Sequence, residues 1–248
     1  MAEQLPADRP AWKTWVEAAC DFAEGRFGEA IDGFNLILVD PDVGRQAATL
    51  DVVRSARLVA LGQDGRWLEL LDAAAEGYRR AAEQNDRYSA HRDAMMALVA
   101  AHRLGLQPDT DTWRERVLAV EELQYQVDAH VAVRLLGLPS RFQLPALRAD
   151  VAAKMDTFPG LSVLLEAIEH HQSGRNDAAL AALSRARREG LGETRFAPVL
   201  SALERTRHVG HAEEPLLLWF APWSDWVAHW VLPVDAPTVP LNNAGLEH

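Results

Sequence analysis

Three segments of this chain open with the same order of residues: "GRFGEAIDGF" from Gly25, "GRWLELLDAA" from Gly65 and "GRNDAALAAL" from Gly174. Each follows an apolar helical stretch and opens another. Seven residues before the glycine stand Ala18, Leu58 or Ala167; two after it, Phe27, Trp67 or Asn176. Five after it come Ala30, Leu70 or Ala179, and nine after it Phe34, Ala74 or Leu183. Glycine stops a helix because it enters the left-handed backbone region without a steric penalty. An aromatic just beyond covers the turn. Small residues at fixed offsets let the two backbones approach, while larger ones fill the groove to the next pair. Such a hairpin cannot bury both its faces alone, so it must stack on a neighbour.

From Ala11 to Leu232 the pattern is helical almost throughout. Alanine, leucine, glutamate and arginine dominate, apolar positions recur every three or four residues, and no stretch alternates with a period of two. Breaks fall at Gly25, Asp40–Asp42, Gln63–Gly65, Gly105–Asp109, Gly137–Ser140, Phe158–Gly160, Ser173–Asn176 and Gly190–Gly192. Short connections of this kind make neighbouring helices antiparallel. Thr112 and Glu115 have capping-box spacing, with Asp111 as the alternative cap, and predict a helix start there. The organisation expected is an N-terminal segment 1–10, a helical-hairpin region 11–136 and a second one, with a capping helix, at 137–232. A flexible tail is expected over 233–248, whose last three residues resemble the start of a purification tag.

The glycine-aromatic-alanine order resembles the tetratricopeptide repeat. The resemblance covers Ala18 to Asp42, with Pro41 near the family's closing proline, and Ala167 to Ala186, with Asn176 in place of the aromatic. It is thinner at Leu58 to Tyr78, where Leu58 and Leu70 replace small residues and Gly77 stands where the last alanine would be. The resemblance implies an all-α fold: antiparallel helical hairpins stacked as a solenoid of degenerate repeats. It also implies a surface that binds another protein or peptide. A second stretch, "AHRDAMMALVAAHRLGLQPDTDTWRERV" from Ala90 to Val117, resembles the helical sensor regions of some bacterial transcriptional activators. In those proteins the sensor follows a DNA-binding domain. The residues ahead of Ala11 leave no room for one, so a regulatory module acting beside a transcription factor is the further alternative.

Charge narrows the partners. Thirty-six acidic side chains against 25 basic ones give a formal charge of -11, which repels phosphate backbones, and the basic runs "SRARRE" and "ERTRH" are short and mixed with glutamate. Nucleic acid is therefore not an expected partner; a basic or amphipathic peptide is. No uncharged apolar run reaches the ~20 residues that span a bilayer, and the first ten residues lack the apolar core of a secretory signal. A cytoplasmic protein is expected. Cys20 is the single cysteine, which excludes an intrachain disulfide and a multi-thiolate metal site.

No nucleophile elbow, phosphate-binding glycine loop, zinc-protease motif or dinucleotide fingerprint is present, so no catalytic residue or cofactor is assigned. Glu166 and His170, four apart on one helix face in "EAIEHHQ", are the only pair with metal-ligand types and spacing, and they lack a third ligand. A packed histidine at a repeat position is the simpler account. The alternative to a binding scaffold is a helical enzyme or ligand-binding domain with a pocket between hairpins, lined by the Glu166/His170 region or by the tryptophans. Those tryptophans, Trp219, Trp223, Trp226 and Trp230 in "PLLLWFAPWSDWVAHWVLP", form one apolar stripe at helical spacing. The stripe either docks as a helix that closes the last hairpin or stays exposed as a dimer or partner interface.

Overall fold

The computed structural model describes residues 11–40, 47–154, 160–193, 196, 199–200 and 203–204. Among them, those up to Ala73 belong to one compact unit and those from Ala74 onward to a second. All regular structure in the described residues is helical. The first unit holds α1 (Ala11–Ala23), α2 (Phe27–Leu38), α3 (Ala47–Gln63) and the start of α4 (Trp67–Glu83). The second holds the rest of α4, then α5 (Arg87–Arg103), α6 (Gln107–Leu118), α7 (Leu123–Leu135), α8 (Leu144–Lys154), α9 (Leu161–Gln172) and α10 (Asn176–Arg188).

One turn is used five times. Gly25, Gly65, Asn85, Gly105 and Gly174 all have φ between 56° and 76°. In each case this residue donates its N–H to the carbonyl three back, as Gly25 does to Phe22 at 3.1 Å and Asn85 to Ala82 at 3.2 Å. The following residue donates to the carbonyl five back, as Arg26 does to Asp21 at 2.8 Å and Leu106 to Ala101 at 3.0 Å. That is the Schellman arrangement. The same residue then turns its own carbonyl to the next helix: Arg26 accepts from Ala30 at 3.0 Å, Arg66 from Leu70 at 3.0 Å, Asp86 from Ala90 at 3.0 Å, Leu106 from Thr110 at 2.8 Å and Arg175 from Ala179 at 2.9 Å. A single residue thus closes one helix and starts the next.

This geometry, not a side-chain cap, sets where helices begin. Arg26, Leu106 and Arg175 make no capping bond. Asp86 alone of the six described N-caps does, accepting from the Ser89 N–H at 3.1 Å. The start expected at Thr112 is corrected for the same reason. α6 begins five residues earlier, at Gln107 with Pro108 in its first turn, where the missing N–H costs nothing. Thr112 lies inside it and donates its hydroxyl to the Pro108 carbonyl at 2.9 Å.

The small and large residues at the recurring offsets are packed as expected. Ala18, Ala30, Phe34, Leu58, Leu70, Ala74, Ala167, Ala179, Leu183 and Ala186 are all buried. In the first unit α1 packs on α2 and α2 on α3. α1 and α2 approach closely at Ala18: a β-carbon on Gly33 would stand 2.7 Å from the Ala18 β-carbon. Phe27 closes over its turn edge-on to Phe22, with ring centres 5.3 Å apart, whereas Asn176 at the same offset is exposed.

In the second unit α5 packs on α6 and α9 on α10, while α6 touches α7 and α8 touches α9. The odd-numbered helices also meet one another, α5 with α7 and α7 with α9. α5 is covered nearly all round, with Ser89 and every residue from His91 to Ala101 buried, the mark of a helix inside a layer.

Two glycines of the first turn behave oppositely because only one needs a positive φ. Gly25→Ala is expected to lower stability by about 1–2 kcal/mol although no atom lies near its would-be β-carbon. Gly28→Ala, in helix α2 with equal space, is expected to raise it by about 0.4–1 kcal/mol. Urea unfolding followed by circular dichroism measures both.

Candidate functional site

The second unit encloses charge. On α5, in the apolar run "AHRDAMMALVAA", Arg92 donates through Nε to Asp93 Oδ1 at 2.9 Å, and the two side chains are 7% and 5% exposed. Gly77 of α4 explains how the carboxylate fits, since a β-carbon there would land on Asp93 Oδ2. The residue that departs from the repeat pattern is therefore the one that makes room for a buried anion. Asp86, at the start of the same helix, is pushed up by burial but held below the usual carboxylate range by the Ser89 hydroxyl and N–H and by the nearby Arg92 charge. The His91 ring lies 4.8 Å from that of Tyr125 on α7. The buried guanidinium and carboxylate offset one another's charge within α5.

A second polar seam joins α7 to α9. Arg134 faces Glu169 at 3.4 Å, and Gln172 donates its side-chain N–H to the Arg134 carbonyl. Next to them His130 is buried, with Nδ1 3.0 Å from the Ser140 hydroxyl. That contact has the length of a nucleophile and its base. Yet burial, aided by the Arg134 charge, pushes the imidazole down to about 4, too weak a base to draw off a hydroxyl proton effectively at neutral pH. Ser140 also accepts the Phe142 N–H at 3.3 Å, so the pair ties the loop after Gly137 to α7.

Glu166 is the hub of α8, α9 and α10. Its Oε2 takes Arg148 at 2.7 Å and Arg185 at 2.9 Å, and its Oε1 lies 3.5 Å from His170 Nε2. Burial raises the carboxyl, but the Arg185 hydrogen bond and the Arg148, Arg185 and His170 charges outweigh it and hold the group below its usual range. The sequence pair Glu166/His170 is thus brought together, but with two guanidiniums already on the carboxylate, an arrangement that disfavours a bound cation. No cluster of three or more His, Cys, Asp or Glu side chains suited to a metal ion occurs among the described residues.

Two open clefts flank this hub. One of 320 Å³ is lined by His171, Asn176, Asp177, Leu180, Leu183 and Leu203, among others, and one of 390 Å³ by Leu144, Pro145, Arg148, Ala149 and Ser162. His171, not His170, reaches the first. Leu180 beside it is 44% exposed. Trp219, Trp223, Trp226 and Trp230 lie outside the described residues, as does the tail from 233 to 248. No helix of the described residues is long and apolar enough to cross a membrane. No family model matches the chain, and neither curated proteins nor solved structures yielded a match.

Arg92 and Asp93 of α5 and Asp128 and His130 of α7, all buried, were not singled out by sequence reasoning. The signal for one of them was present: a glycine at an alanine position implies that something stands against it, and Asp93 is that group. Gly77→Ala is expected to cost about 1–3 kcal/mol through that overlap, read as a fall in the thermal midpoint.

His130 sets an acid limit. Its folded pKa lies below the unfolded value of 6.5, so the unfolded chain binds the extra proton first. Stability is whole above that value and falls by about 3 kcal/mol as pH drops towards 4. His130→Gln is expected to flatten that stretch of the stability–pH curve.

Proposed function

We propose that this chain is a non-catalytic docking protein, a tetratricopeptide-like stack of helical hairpins that binds a protein or peptide. The observation that carries the reading is serial order: one turn geometry repeated five times, with α5 meeting α7 and α7 meeting α9. Hairpins that touch their successors in this way build an extended surface rather than a single enclosed pocket. The closure of the last hairpin by the tryptophan-bearing segment belongs to this proposal, as does action in the cytoplasm. The polar groups of the second unit support it too, because Glu166 and Arg92 are engaged by their own neighbours and leave no unshielded reactive pair around them.

With a formal charge of -11, the preferred partner is a basic or amphipathic peptide. Selection from a displayed random-peptide library, followed by calorimetry, tests this. Enrichment of sequences rich in lysine and arginine is expected, with affinity falling as salt rises from 50 to 500 mM (a range of about 14 Å to 4 Å in screening length). Selection that enriches no sequence family over an equally acidic helical control would overturn the reading.

A further inference from the structure

The first unit contains an arginine whose charge is met by a neutral group. Arg57 on α3 is half-buried, and its Nε donates to the Asn35 side-chain oxygen of α2 at 2.6 Å. Among the described residues its two terminal amino groups have no hydrogen-bond or ion-pair partner, and neither is sealed from solvent without a partner. This is not how the chain treats comparable arginines. Arg54, Arg66, Arg92, Arg114 and Arg134, also buried or half-buried, each hold a carboxylate within 4 Å. Desolvating a guanidinium without an anion is unfavourable, and burial accordingly depresses the Arg57 pKa, with Glu69 opposing and Arg66 adding to that effect.

The geometry also says what would fit. Asn35 pins one side of the planar fork, so the remaining two-nitrogen edge is presented in a fixed plane, the arrangement that carboxylates accept in pairs of parallel bonds. The neighbouring Arg66 displays the occupied form, gripping Glu69 through Nε at 2.7 Å and Nη2 at 2.5 Å. Glu69 acts on Arg57, and Asp32 acts on Arg66, through their charges. Their field tolerates an added monoanion better than a dianion, which favours a carboxylate over a phosphate.

We infer that Arg57 and Asn35 form a subsite for a carboxylate, the acidic side chain of an otherwise basic bound peptide. The inference rests on the docking reading for its peptide context, but the subsite itself is testable with acetate. The experiment follows arginine Nε–Hε resonances of the full chain during titration with sodium acetate, sodium phosphate and sodium chloride at equal ionic strength. The Arg57 signal, assigned by its loss in Arg57→Lys, is expected to shift saturably with acetate, with half-saturation on the order of 10 mM for so small a probe. Arg54 and Arg66, already paired, are expected to shift several-fold less, phosphate to bind more weakly and chloride to give no saturation.

Asn35→Ala, with its fold checked by circular dichroism, is expected to weaken acetate binding about fivefold, as loss of one orienting hydrogen bond requires. No saturable response at Arg57 would overturn the inference, and so would tighter binding of phosphate than of acetate or an unchanged midpoint in a folded Asn35→Ala. Failure here leaves the docking reading standing, and failure of peptide selection leaves the subsite standing.

Discussion

The described architecture depends on one steric permission: a residue between paired helices that tolerates a positive φ. Where glycine or asparagine supplies it, a three-residue connection satisfies the last carbonyls of one helix and orients the first amides of the next. Helix direction, start point and buried face then follow together, because the fourth residue of the new helix is fixed relative to the turn. That residue is Ala30, Leu70, Ala90, Thr110 or Ala179, of which Ala90 is half-buried and the other four are buried. The recurring small residue of the sequence pattern is thus a consequence of the turn.

Apolar packing alone does not describe the second unit. Its covered helix α5 carries an ion pair, and α7 to α10 are joined by Arg134–Glu169 and by the carboxylate of Glu166 between two guanidiniums. Leucine and alanine faces are interchangeable along a stack, whereas a buried charge accepts only its complement. In this chain Gly77 and Asp93 illustrate the coupling: the carboxylate needs the missing β-carbon, and the missing β-carbon leaves space that the carboxylate fills.

Sequence and structure agree where a residue's conformational preference is strong and local. The breaks at Gly25, Gly65, Gly105, Gly137, Gly160, Gly174 and Gly190 are positive-φ positions, and the small residues at fixed offsets are packed. The break at Asn85 escaped notice because neither glycine nor proline marks it, and only its φ of 56° reveals the role. The Thr112 box misled because its letters matched a cap while Gly105 had already dictated the start of α6. Arg92 and Asp93 were hidden by the apolar run around them, and Arg57 is distinguished only by what does not face its fork, a property no linear pattern carries. The Asp93 and Arg57 misses concern relations across helices, to Gly77 and to Asn35.

The turns at Gly65, Asn85 and Gly105 stand twenty residues apart, and the helices α4 and α5 between them are equal in length, 17 residues each. Since each added residue swings a helix by about 100°, a single insertion in either would carry its covered side round to water and aim the following turn elsewhere. Such a chain can change its letters freely at many sites while its counts stay locked.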